Sequence, residues 1–223
     1  MKRFFLIALT LVIAVGVMSQ LRYLIPVLEL RNQNPDDTAF MERARAHGAV
    51  RYEWRNYEQI ADDLKRAVLI SEDARFMEHI GFDWRGIRHA IERNEEAGRP
   101  VAGGSTVTQQ LAKNLFLSSE KSYTRKIQEA LIALMLEVTL SKKRILELYL
   151  NTAQWGNRLF GAQAAALHYF GVDAHALSPA QAAQLAVLLP RPSYYDVRGT
   201  TEYVEQRTLW IQKQLPLVRI PPP

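Results

Sequence analysis

The sequence predicts an all-α protein. Apolar residues recur at helical spacing along most of the chain after Glu53, residues that favour helix starts stand in front of those runs, and alternating strand patterns are nearly absent. Ile60, Leu64, Ala67, Val68 and Ser71 form the first periodic run, and Gly81 is placed to close it as a C-cap. Trp84 to Asn94 makes a second, shorter amphipathic helix, broken by the AGRPVAGG stretch from Ala97 to Gly104. Ser105 or Thr106 then caps a helix reaching about Leu115. Thr124 to Leu140 carries Ile127, Leu131, Leu134 and Val138 on one stripe and Ile132, Met135 and Leu136 elsewhere, an all-round apolarity that predicts burial. Ser141 caps a helix to about Leu150, and Phe160 to Phe170 is a small-residue helix ending at Gly171. Ser178, Pro179 and Gln181 spell a helix start, and Pro190 ends that helix.

The chain has 223 residues, 48% of them apolar, enough for one compact domain and an appendage. It has no cysteine, which excludes disulfides, thiolate metal sites and a cysteine nucleophile. A net charge of +5 suits an anionic partner, whether nucleic acid, a lipid surface or a phosphorylated substrate, and equally suits an ordinary solvated basic surface. The amino terminus narrows this choice. Lys2 and Arg3 precede an uncharged apolar run from Phe4 to Leu21, about the length of a membrane span, and its small residues lie inside the run rather than after it. We read it as an uncleaved anchor with the short amino end in the cytoplasm and everything after Arg22 outside. Residues 23–53 carry Pro26, Pro35 and NPDD with little periodicity and read as a linker; 54–200 is the main domain, and 201–223 a C-terminal helix and tail.

Four blocks carry candidate chemistry. In SEDARFMEHIG, Glu72, Phe76 and His79 are four and seven residues apart, a spacing that puts them on one helix face; a carboxylate beside an aromatic ring after an apolar run is raised by desolvation toward a usable general base. The plain alternative is a salt-bridged glutamate at a helix end. In GGSTVTQQLAKNLF, two glycines permit close backbone approach and the helix start offers N–H groups to an anion, with Gln109, Gln110, Lys113 and Asn114 within one turn. In RKIQEALIALMLE, Arg125 and Lys126 precede Glu129, whose charge in a buried helix must be paired. KKRILELYLN, Lys142 to Asn151, is the fourth. An S-x-x-K match at Ser118 to Lys121 lacks the partner motifs of penicillin-binding enzymes and is read as chance.

In this order and spacing the blocks resemble the motif set of glycosyltransferase family 51, the peptidoglycan glycosyltransferases. A further segment, GAQAAALHYFG from Gly161 to Gly171, matches as well, and the resemblance covers about Ile60 to Asp196. With one anchor and no penicillin-binding domain, it is to the monofunctional members. The resemblance implies a lysozyme-like helical lobe with a smaller membrane-facing lobe, preceded by one transmembrane helix, and a single-pass placement in the bacterial inner membrane with residues 54–200, the glycosyltransferase domain, on the periplasmic side. It implies lipid II and the growing glycan strand as partners, with the membrane and cell-wall synthesis or division proteins, and no nucleic acid. It assigns Glu72 as general base and Glu129 as a second essential glutamate. Phe76, Ser105, Gln109, Gln110, Lys113, Asn114, Lys121, Arg125 and Lys126 fall at substrate-binding positions, Lys121 where many members have arginine. A divalent cation, Mg or Mn, is an expected helper that Asp73 or Glu129 could touch, although no spacing specifies a metal site; no organic cofactor is expected.

Overall fold

The computed structural model describes residues 4, 10, 16, 18, 20–118, 120 and 122–222. Its helices run in chain order: α1 (Leu24–Glu29), α2 (Ala39–Arg45), α3 (Asp62–Glu72), α4 (Trp84–Glu96), α5 (Val107–Phe116), α6 (Tyr123–Thr139), α7 (Lys142–Thr152), α8 (Ala162–Phe170), α9 (Pro179–Leu188), α10 (Pro192–Arg198) and α11 (Glu202–Gln214). The fold is mostly helical as expected, with one small addition. Strands β1 (Arg51–Tyr52), β2 (Gln154–Gly156) and β3 (Leu159–Phe160) form a sheet of order β1-β3-β2, in which β1 runs parallel and β2 antiparallel to β3. These strands are two or three residues long, too short for an alternating pattern to register in the sequence.

The core forms where α3, α9 and α11 pack together and where α5 packs on both α6 and α7. Leu64, Val68, Leu111, Ile132, Leu136, Leu146 and Leu185 are among the side chains fully removed from water there. Helix starts follow local chemistry. Ser141 accepts from Arg144 N, and Ser178 with Gln181 completes a reciprocal cap behind Pro179. Gly161, at φ +83°, leads into α8 where a Cβ would stand 2.8 Å from the Asn151 carbonyl oxygen, so only glycine fits.

Four readings change. The stretch read as a linker contains α1, α2 and β1, with Val27 and Met41 fully buried and Leu30 nearly so; Arg144 Nε and Nη2 donate to the Leu30 and Gln33 carbonyls. Its aperiodic sequence hides this because each piece is shorter than two helical turns. The C-terminal segment is likewise built into the body, since Val204 and Ile211 are fully buried and Tyr57 Oη donates to the Pro221 carbonyl at 2.6 Å. The helix bearing Glu72 ends there rather than at Gly81, so Glu72, Phe76 and His79 do not share a helix face. Asp73 breaks it, with φ −162°, because its carboxylate is drawn to the start of α5. Finally, the stripe Ile127, Leu131, Leu134, Val138 on α6 is exposed, from 39% at Leu131 to 84% at Val138, while Glu129, Ile132, Ala133 and Leu136 face inward. A helix apolar all round leaves the choice of inner face to its neighbours, and α5 takes the other one.

Most of the proposed anchor lies outside the described residues; those described within it, Phe4, Thr10, Gly16, Met18, Gln20 and Leu21, are helical. Among the described residues no helix is long and apolar enough to cross a membrane.

Candidate active site

Glu72, the last residue of α3, lies half-buried in the wall of a cavity of about 280 Å³ that Arg75, Asp83, Gly104, Ser105 and Thr106 also line. Burial holds its carboxyl above the usual carboxylate range. A hydrogen bond from Gln110, the charge of Lys113 and Ser71 oppose this, Asp73 adds to it, and burial wins. The Gln110 bond is direct: its Nε2 donates to Glu72 Oε2 at 2.7 Å, while its Oε1 accepts from Tyr149 Oη at 3.0 Å.

The opposite wall begins with Gly104, where a Cβ would meet Ile87 Cα at 3.2 Å, the close approach two glycines allowed. Thr106 caps α5 by accepting from Gln109 N, and Gln109 Oε1 accepts in return from Thr106 N. Asp73 Oδ2 takes the Val107 N–H at 3.0 Å. A carboxylate from within the protein therefore takes one of the free N–H groups at the start of α5 and faces its positive dipole end. Asp73 is also bonded to His79 Nε2 at 2.9 Å, so this buried pair ties the end of α3 to the start of α5.

Cations gather on the first turns of α6. Arg125 Nη1 donates to Glu129 Oε2 at 2.9 Å, Lys126 Nζ contacts Glu129 Oε1, and the same ammonium donates to Ser105 Oγ at 3.0 Å. Glu129 is 3% exposed, the Arg125 side chain 15% and the Lys126 side chain 46%, so the carboxylate is an interior holder and the lysine its open face. Lys113 stands between the two glutamates. Burial lowers its ionisation, the positive charges of Arg125 and Lys126 lower it further, and Glu129 and Glu72 oppose them. Its ammonium lies 5.5 Å from the centre of the Phe40 ring, carried by α2.

The structure thus joins Glu72, Gln110 and Lys113 in one group and Ser105, Arg125, Lys126 and Glu129 in another, with Lys113 electrostatically coupled to both. Phe76 is 1% exposed, against His79 and beneath Lys142, and Gln109 and Asn114 are turned into the body. Lys121 lies outside the described residues. Sequence reasoning passed over Tyr149 and Phe40. Tyr149 lay inside a block already singled out, but its apolar setting reads only as core; Phe40 stood in the supposed linker.

Among the described residues no group of three or more carboxylates and histidines converges as a metal site. The two carboxylates named for a cation do not fit one, since Asp73 is spent on Val107 N and His79, and Glu129 on Arg125 and Lys126.

The family model described as Transglycosylase matches residues 39–216. The chain belongs to the transglycosylase family. This transglycosylase is 64% identical over 215 residues to the biosynthetic peptidoglycan transglycosylase of Alcanivorax borkumensis, covering 96% of this chain and 88% of that one. It is 49% identical to the protein of the same name from Laribacter hongkongensis, over 84% of this chain and 86% of the other. With the Chromobacterium violaceum protein, again of that name, identity is 44% over 99% and 100%. The transglycosylase is a glycosyltransferase enzyme, as its motif order implied. The match also begins at the first residue of α2, inside the stretch read as linker, and runs through α11.

Proposed function

We propose that this enzyme polymerises lipid II into β-1,4-linked peptidoglycan strands, with Glu72 as general base and undecaprenyl pyrophosphate as leaving group. The observation that carries the reading is a desolvated carboxylate, held by a neutral amide, beside a group of cations. Glu72 takes the proton from the acceptor sugar's 4-hydroxyl as that oxygen attacks the donor's anomeric carbon. The bond from that carbon to the pyrophosphate breaks, and the departing charge is met by Lys126, Arg125 and Lys113 rather than by a proton. Attack opposite the leaving group turns an α-linked donor into a β-linked product. Glu129 holds the two α6 cations in place.

A membrane-facing lobe on a single-pass anchor suits this substrate. The exposed Ile127, Leu131, Leu134 and Val138 on α6, with exposed Leu24, Ile25 and Leu28 on α1, which packs against α6, support it. The apolar run from Phe4 to Leu21 leads straight into α1.

A raised carboxyl would also serve a lytic enzyme that protonates a sugar leaving group, but that chemistry has no use for the cations. Purified protein incubated with labelled lipid II distinguishes the readings. Polymer is the expected result; fragments released from preformed glycan would instead mark a lytic enzyme, and neither product a scaffold of the wall-synthesis machinery.

A further inference from the structure

We propose that Tyr149 is a positioning residue for Glu72, acting through Gln110 by holding that side-chain amide with its NH2 group turned toward the carboxylate. The proposal rests on Glu72 being the general base and adds a residue that touches no substrate.

Tyr149 belongs to α7 and is 1% exposed, so its hydroxyl must find a partner inside the protein. That partner is Gln110 Oε1, at 3.0 Å, and the other end of the same amide meets Glu72 Oε2 at 2.7 Å. The three side chains come from α7, α5 and α3, so the chain of bonds crosses the core to reach the base. An amide is nearly symmetric in shape but opposite in polarity at its two ends. Turned one way it stabilises a carboxylate; turned the other, its carbonyl repels one. A phenol that donates to the carbonyl selects the first orientation. Burial pushes the Tyr149 hydroxyl well above its ordinary range, so it remains a donor throughout the pH range in which the enzyme works.

The other groups facing Glu72 are Lys113 from α5, Ser71 and Asp73 from its own segment, and the mutually paired Arg75 and Asp83 across the shared cavity. None of them touches Gln110 in a way that would replace the phenol among the described hydrogen bonds. Removing the hydroxyl frees the amide to turn and leaves the ionised carboxylate with less support. The acid side of the pH–rate profile, which reports the base, should then move to higher pH.

The test is polymerisation of labelled lipid II from about pH 5 to about pH 9, with melting curves, for the unaltered protein and for Tyr149→Phe, Gln110→Leu, the double variant and Glu72→Gln. Tyr149→Phe is expected to lose roughly three- to tenfold more turnover on the acid side than on the plateau. Added to Gln110→Leu, it should move the profile no further. An unmoved acid limb, with or without a lower melting temperature, overturns the proposal, as does an equal movement in both backgrounds. Fluorotyrosine placed at position 149 keeps the packed ring and makes the phenol a stronger donor, so it must move the limb the opposite way; no movement overturns the proposal even if the phenylalanine variant fails to fold. Glu72→Gln separates the two levels. If it retains turnover, the base assignment itself fails, whereas an inactive Glu72→Gln beside an unmoved Tyr149→Phe limb removes only the positioning role.

Discussion

Glu72 and Glu129 are the same residue in the same motif set, and the protein surrounds them in opposite ways. Glu72 ends its helix half-buried with a neutral amide on one oxygen, and burial outweighs every favourable contact. Glu129 sits inside its helix, almost wholly buried, with a cation on each oxygen. The first arrangement leaves a carboxylate whose charge is costly, as the proposed general base requires. The second turns the charge into a fixture that orients Arg125 and Lys126. Both meet the need of a buried carboxylate for company, and the choice of partner decides between chemistry and scaffolding.

Glu72→Gln should lower lipid II turnover by roughly a hundred- to ten-thousandfold, because a near-isosteric amide cannot take the proton; near-normal turnover would break the contrast at once. Lys126→Ala comes next. Its side chain is 46% exposed, so the stability cost should stay under about 1 kcal/mol, while turnover falls by about a hundredfold through uncompensated leaving-group charge. A melting temperature that fell in step with activity would instead reduce the cation group to a structural device. Glu129→Gln should show the scaffolding side, losing about 3 kcal/mol because Arg125 is left buried without its counter-charge. Equilibrium unfolding in urea measures this directly, and an unchanged midpoint would mean that the pair is not holding α6.

The smallest effect is the most discriminating. Because burial raises the Glu72 pKa in the folded protein, this group favours folding below the ordinary carboxylate range and opposes it as pH rises through the raised value. Glu72→Gln should therefore melt slightly higher than the unaltered protein at neutral pH, with the difference shrinking as pH falls toward about 4. A variant less stable at every pH would show that the carboxylate is paired after all.

Much of this was legible in the chain itself. The caps at Thr106, Ser141 and Ser178 were readable because a helix start is settled by three or four neighbouring residues. The i, i+3 and i, i+4 spacing of Lys126, Arg125 and Glu129 guaranteed their meeting, since helix geometry alone brings such pairs together. The motif order led to the family without any coordinates.

Decisions that involve two distant elements needed the folded molecule. Helix α3 stops at Glu72 because Asp73 fills the start of α5, 34 residues later, and no local signal announces that bond. The same bond places a carboxylate at the helix end that the sequence offered to an anion. Which face of α6 is left uncovered was set by the packing of α5, not by hydropathy, for both faces are apolar. Glu72 was visible as a carboxylate after an apolar run, but its link to Tyr149 spans three helices through Gln110. Local sequence fixes what each residue can do within about a turn; which neutral or charged partner a buried carboxylate receives depends on long-range packing, and that partner sets its chemistry.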